Sequence, residues 1–354
     1  MKQIIIKENE AGQRLDKFLH KYLTEAPNSF LYKMLRKKNI TLNSKKADGS
    51  EKLVVGDTVA LFLAEETIAK FRGIAATKDS NTGQCTKLLQ AEKSMQMYHA
   101  AYRNIGKLDI IFENHHILLV NKPVGLLTQK AEKEDISLNE WLIGYMLSSG
   151  AITEEELATF KPSVCNRLDR NTSGIVICGK TLLGTQKMSA MLKDRSLHKF
   201  YRLYVKGSLC QEMYLEGYLK KDAKSNRVTI TQKASGRDDM KYIATKYIPI
   251  AECGEMTLLE VELITGKPHQ IRAHLSSVGH PLLGDYKYGD SSWNQSYKKR
   301  FGIDSQMLHA YRLEFPMMEA EFADISNLVI TAKPPKAFTD IWESRQWQHG
   351  IQEG

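Results

Sequence analysis

Apolar and polar positions follow different rhythms in the first and the later parts of the chain. Residues 2–6 read as a short strand and residues 8–12 as a turn; Leu15, Phe18, Leu19, Tyr22 and Leu23 then recur at helical spacing as one apolar stripe. Ser29 is the expected N-cap of a second helix carrying Leu31, Met34 and Leu35, which ends in Arg36-Lys37-Lys38 where cations suit a helix C-terminus. A strand over residues 40–43, a turn through Asp48-Gly49 and a strand-like run over residues 54–62 complete a small unit of residues 1–65. Residues 66–107 show no clear period; Lys78 through Gly83 reads as a linker tip, with one helix expected over residues 87–98.

From residue 108 onward strand-like runs dominate. Two of them, residues 108–114 and 117–125, flank a turn at His115-His116; Pro123 stops the second strand, Gly125 permits a tight bend, and Lys122 is thereby expected at a rim, where a phosphate contact and a structural role fit it almost equally. Ser137 is placed to cap a helix bearing Leu138, Trp141, Leu142 and Tyr145. The β-branched run 175–178 reads as a buried strand, and residues 182–192 as a helix closed by Lys193-Asp194-Arg195. Alternation over residues 198–206 puts Lys199, Tyr201, Leu203 and Val205 on one face. Strand-like patches follow at 228–230, 242–245 and 257–263, then a helix with Pro268 in its first turn and Ile271, Leu275 and Val278 on its apolar face. A last strand at 328–330 and a short helix packed by Trp342 end the pattern.

Composition narrows the class. With 354 residues, 42% hydrophobic and 26% charged, the chain has the make-up of a globular protein of two or three domains. No apolar run approaches a membrane span, and the acidic interruption after the opening MKQIIIK fits neither a signal peptide nor an anchor. Five widely spaced cysteines without a C-x-x-C pair suggest neither a disulfide framework nor zinc, so the cytoplasm is the expected location. The net charge of +9 points to a polyanionic partner, since basic surfaces gain binding free energy by releasing counterions from phosphates.

Candidate chemistry concentrates in residues 164–180, VCNRLDRNTSGIVICGK. Asp169 lies between Arg167 and Arg170 in a loop of Asn, Thr, Ser and Gly, and neighbouring cations favour the charged form of a carboxyl. A charged loop anchored on a buried strand presents catalytic groups well, and a surface ion pair in a turn fits the same residues. His269 and His274 are five apart with no H-E-x-x-H pattern, so no metal is expected, and P-loop, G-x-G-x-x-G and C-x-x-C signals are lacking, so neither is a nucleotide or redox cofactor.

Asn166-Arg167-Leu168-Asp169-Arg170-Asn171-Thr172-Ser173-Gly174 resembles the central motif, commonly H-R-L-D-x-x-T-S-G, of the RluA-type family of RNA pseudouridine synthases. The strand ending in Lys122-Pro123 resembles that family's first motif, Lys199-Phe200-Tyr201 its K-x-Y strand, and Gly266 through His274 its G-R-x-H-Q-I-R-x-H motif, with Lys267 in place of the usual Arg. The resemblance implies an α+β fold with a mixed, mainly antiparallel central sheet over residues 108–354. Residues 1–65 resemble the alpha-L RNA-binding module found ahead of such domains, which leaves 66–107 as a linker.

What the resemblance further implies is isomerisation of uridine to pseudouridine in RNA, with ribosomal RNA favoured and transfer RNA open, no cofactor and a monomer acting alone. Asp169 is the expected nucleophile, Arg272 its partner, and Tyr201 the residue that stacks on uracil or moves a proton. Attack at C1′, attack at C6 and a glycal route all remain open. RNA contacts are expected from Lys33, Arg36, Lys37, Lys38, Lys45 and Lys46 in the module, and from Lys122, Arg167, Arg170, Lys267, His269 and Gln270 around the cleft. Asn166, where the family commonly has His, is expected to shape the loop without titrating. A glycosidase needs a second carboxylic acid and none stands out, which agrees with a base that never departs. The rival readings are a non-catalytic RNA-binding or ribosome-assembly factor of the same fold and a hydrolase of small nucleosides.

Overall fold

The computed structural model describes residues 1–73, 83–221, 227–231 and 240–349. Strand β1 (Lys2–Ile5), helices α1 (Leu15–Tyr22) and α2 (Asn28–Arg36), and strands β2 (Ile40–Leu42), β3 (Lys45–Lys46) and β4 (Thr58–Leu61) come first. The strands run in the order β1-β4-β2-β3 with every pair antiparallel. The α1 stripe of Leu15, Phe18 and Leu19 is fully buried against Leu31 and Leu35 of α2 and Val59 and Leu61 of β4.

Two local expectations differ here. Helix α2 starts at Asn28 with Pro27 in the N-cap position, so Ser29 sits inside the first turn and caps nothing; the fixed φ of −60° at Pro27 already aims the chain into the helix. Residues 54–57 form a turn closed by Val54 N–H donating to Asp57 Oδ2 at 2.9 Å, with Gly56 at a φ of +89°, so the last strand begins only at Thr58.

Helix α3 (Glu65–Phe71) packs onto this small core through Ile68, and Phe71 meets Phe30 with ring centroids 4.5 Å apart. Helix α4 (Gly83–Ile105) runs beyond the expected 87–98 and lies against α5 (Leu138–Ser148). The approach is close enough that a Cβ on Gly144 would meet the Tyr98 carbonyl oxygen at 2.2 Å, while Trp141 Nε1 donates to Gly106 O at 2.8 Å. Tyr98 and Ala101 are buried, so α4 is packed along the large core where an interdomain connection holding one shorter helix was expected. Of the turn-like stretch at its start, residues 78–82 lie outside the described residues. Ser137 caps α5 as expected, accepting from Asn139 N–H.

The large sheet collects β5 (Asp109–Glu113), β6 (Ile117–Lys122), β7 (Ser163–Val164) and β8 (Ser173–Gly179); then, after α6 (Leu182–Asp194), β9 (His198–Lys206), β10 (Met213–Lys221), β11 (Val228–Thr231), β12 (Met240–Glu252) and β13 (Met256–Leu263). Helices α7 (Gln270–Ser277) and α8 (Ser291–Phe301) precede β14 (Leu308–Glu314) and β15 (Val329–Thr331); α9 (Lys336–Glu343) and β16 (Gln348–His349) follow. The order is β11-β10-β12-β13-β9-β14-β8-β6-β5, with β15 on β14, β16 on β12 and β7 on β8. Among the named strands of the described residues one pairing is parallel, β14 with β8, and the rest are antiparallel, as an α+β fold with a mainly antiparallel sheet requires. Strands β6 and β8 are covered on both faces. Leu118, Val120 and Val176 meet Trp141 and Leu142 of α5, while Leu119, Ile175 and Ile177 meet Met188 and Met191 of α6, which is why both strands read as unbroken apolar runs.

Candidate active site

The register of three strands explains how distant residues converge. Ala310 on β14 pairs with Gly174 on β8 and with Tyr201 on β9. The loop carrying Asp169 ends where β8 begins, so the carboxyl and the phenol emerge on two strands separated by one. Gly174 is required at this joint: its φ is +111° and an added Cβ would lie 2.2 Å from the Ala310 carbonyl oxygen. Beside it, Ser173 Oγ bonds His309 Nδ1 at 2.9 Å and His309 Nε2 bonds Ala332 O at 3.1 Å, fixing a fully buried, neutral imidazole behind the loop. Burial pushes this histidine down to about 4.

The Asp169 loop is held from several sides. Asn166 accepts from Ile177 N–H at 2.8 Å and donates to Ile175 O at 3.3 Å, so it ties the loop to β8 by hydrogen bonds, the part expected of it. Thr128 donates to Leu168 O at 2.8 Å and accepts from Leu168 N–H at 3.2 Å; nothing in its sequence neighbourhood marks it for this. Lys122, expected at a rim in reach of phosphate, is instead fully buried, and its ammonium donates to the carbonyls of Pro123, Leu126 and Arg170 at 2.9, 2.8 and 3.1 Å. All three of its protons are used within the protein, so it staples the bend after β6 to the Asp169 loop and has none left for RNA. Burial pushes Lys122 down to about 7 against the pull of the Asp169 carboxylate.

Arg272 comes from α7 across the sheet. Its Nη1 donates to Asp169 Oδ2 at 2.9 Å, and its Nε and Nη2 fork onto Asp285 at 2.7 and 2.9 Å. The guanidinium is thus clamped between two carboxylates and lies 5.3 Å from the Tyr288 ring centre. Burial opposes its charge, but the bonds to Asp285 and the Asp169 charge outweigh it and raise its pKa above the ordinary value. Asp285 has no exposed surface; it also accepts from the N–H groups of Lys287 and Tyr288, and these contacts with Arg272 overcome burial and lower its pKa. Arg167 and Arg170, the sequence neighbours of Asp169, are exposed.

Helix α7 begins later than Pro268 suggests. His269 holds the N-cap with a left-handed φ of 55°, and this turns its ring so that Nδ1 bonds Tyr288 Oη at 3.0 Å while Nε2 stands 3.8 Å from Asp169 Oδ2. Burial lowers the His269 pKa, Asp169 opposes that, and Arg272 adds to the lowering. Gln270, expected to touch RNA, is buried instead: its amide donates to Ala244 O and Thr245 Oγ1 and accepts from Thr265 Oγ1 and Lys267 N–H, locking α7 to β12.

Of these groups Thr128, Asn166, Asp169, His269, Gln270 and Arg272 line an open cleft of ≈ 1210 Å³. Tyr201 is 7% exposed on its wall, and burial, then the Asp169 charge, raises its pKa, so the phenol is protonated at neutral pH. Among the described lining residues eight are lysine or arginine and one is a carboxylate, Asp169. Such a cleft attracts a polyanion to a single carboxylate. No group of three or more metal-ligating side chains occurs among the described residues, and no helix among them is long and apolar enough to cross a membrane. The six module residues expected at RNA, Lys33, Arg36, Lys37, Lys38, Lys45 and Lys46, are all exposed, at the end of α2 and on the β2–β3 hairpin.

A family model described as RNA pseudouridylate synthase matches residues 116–277. The chain is 29% identical over 318 residues to the ribosomal large subunit pseudouridine synthase C of Vibrio parahaemolyticus, covering 88% of this chain and 87% of that one. It is 30% identical over 347 residues to a Mycoplasma genitalium protein described as an uncharacterized RNA pseudouridine synthase, with 92% and 93% covered. In fold, it resembles human RNA pseudouridylate synthase domain containing 4 with a TM-score of 0.55 at 17% identity, covering 73% of this chain and 99% of that one.

Proposed function

Because this chain belongs to the RluA-type family of RNA pseudouridine synthases, we propose that it isomerises uridine to pseudouridine in structured RNA, and specifically in large-subunit ribosomal RNA. The observation that carries this reading is the Arg272 clamp: a buried guanidinium fixed by Asp285 holds Asp169, the one carboxylate among the described residues lining a cationic cleft, at 2.9 Å.

Asp169 supplies the nucleophile, and the attack at C1′, the attack at C6 and the glycal route all begin from its carboxylate. The N1–C1′ bond breaks, uracil turns within the cleft, and C5 bonds to C1′; the C5–H bond then breaks with loss of its proton and N1 takes up a proton, so the product has the composition of uridine. Arg272 orients the carboxylate and helps to exclude water. Tyr201, protonated at rest, offers its ring as a stacking face rather than a ready base. Reaching the glycosidic bond requires the uridine to leave its stack, a step for which exposed Arg167 and Arg170 at the mouth can grip flanking phosphates. Among the described residues the only other acid bonded to Arg272 is Asp285, which is wholly buried and saturated with donors, so it cannot protonate a departing base as a glycosidase acid must. Residues 1–65 act as the RNA platform, with residues 108–354 as the catalytic domain, in the cytoplasm.

The test is nucleoside analysis of a large-subunit ribosomal RNA transcript incubated with the purified chain. Pseudouridine should appear without free uracil. Free uracil would establish a hydrolase, and unchanged uridine would leave the non-catalytic reading standing.

A further inference from the structure

The wall of the cleft formed by the end of α6 and the start of β9 holds cations that the chemistry above does not use. Arg195 is the C-cap of α6, held at a φ of 68° and a ψ of 20°, and it is exposed. Lys199 is partly buried and shares the inward face of β9 with Tyr201, two residues and so about 6.6 Å further along the strand. Both line the cleft, and neither is paired with a carboxylate among the described residues. Burial and the neighbouring Arg195 both lower the Lys199 pKa. Two like charges crowded in a partly dry wall cost free energy in the free protein, and an anion placed between them removes that cost. The Arg272 guanidinium, by contrast, already has two carboxylates and needs no further anion.

We propose that Arg195 and Lys199 form a subsite for an RNA backbone phosphate adjoining the target uridine, so that the nucleotide is gripped at its backbone while its base lies against Tyr201. The subsite reads charge and spacing but no base, and it rests on the reading of the cleft as the place where uridine is isomerised.

The test measures binding of a fluorescein-labelled oligouridylate to the full-length chain as a function of salt. A single-strand phosphate contact contributes about 0.7 to the slope of log affinity against log salt. Lys199→Gln should lower the slope by about that amount and the Arg195→Gln, Lys199→Gln double variant by about twice as much, whereas Lys199→Arg should restore it. Lys187→Gln removes one charge from an exposed position on α6 that does not line the cleft, and should leave the slope as it is. Equal slopes for wild type and Lys199→Gln, or an equal loss in Lys187→Gln, would overturn the subsite. Pseudouridine formation by the wild type is scored separately, so a failed isomerase reading and a failed phosphate subsite give different results.

Discussion

The Asp169 cleft and the basic face of residues 33–46 are both rich in cations, yet they are built in opposite ways. In the cleft, Asp169, Arg272 and Asp285 come from segments up to 116 residues apart (285 − 169) and are joined by bonds of 2.7 to 2.9 Å, two of the three side chains being almost fully buried. On the module, Arg36, Lys37 and Lys38 are consecutive and exposed at the end of α2. A clamped, desolvated group has one orientation and a large electrostatic effect on its neighbour, as catalysis requires; free lysines on long side chains adapt to a phosphate backbone whose sequence they need not read. The contrast teaches that charge alone does not separate chemistry from binding, whereas burial together with saturation of donors does.

That contrast breaks most visibly at Asp285. Asp285→Ala leaves the Arg272 charge buried without its fork and should cost ~3–5 kcal/mol of stability by chemical denaturation. Asp285→Asn keeps the shape; with Arg272 free to shift, pseudouridine formation should fall about a hundredfold while oligouridylate affinity is retained. An unchanged rate in Asp285→Asn would make the clamp ornamental.

Acid should loosen the cleft's supporting wall next. His309 behind the Asp169 loop and His274 on α7 are both pushed from 6.5 down to about 4 by burial. The unfolded chain therefore binds protons that the folded chain refuses. The stability is fully present above pH 6.5 and is lost as pH falls towards 4, by up to about 1.4 kcal/mol per pH unit for each histidine. Denaturant midpoints measured across that window check this, and His309→Gln should flatten the profile.

The smallest stability effect belongs to the module. Changing Arg36, Lys37 and Lys38 to Gln together should shift stability by no more than about 0.5 kcal/mol, yet lower the salt slope of RNA binding by about 2 to 3. A preserved slope would remove the module from the RNA interface.

Legibility in the sequence divides along the same line. The module's basic face could be read directly because its residues are neighbours on the chain. Asp169, Tyr201 and Arg272 carried motif signatures, and the observed 2.9 Å bond agrees with the expected pairing. The rest of the clamp was hidden because burial decides it. Asp285 sits in the stretch from Gly279 to Gly289, which resembles the family's turn after this helix but carries no mark of a partner for Arg272; Thr128 has no local mark, and Lys122 and Gln270 looked like RNA contacts until their polar atoms were found spent on carbonyls, hydroxyls and amides inside the fold. Helix α4 was missed in extent for a related reason: what holds it to α5 is the close approach at Gly144, which no apolar period announces.

The most direct measurement is pseudouridine mapping of total RNA from cells lacking the gene and resupplied with either the wild-type chain or Asp169→Asn. One or more sites in large-subunit ribosomal RNA should lose pseudouridine without the gene, regain it with the wild type and stay as uridine with Asp169→Asn. Equal recovery with both chains, or no site that depends on the gene, would contradict Asp169 as the nucleophile of an RNA isomerase.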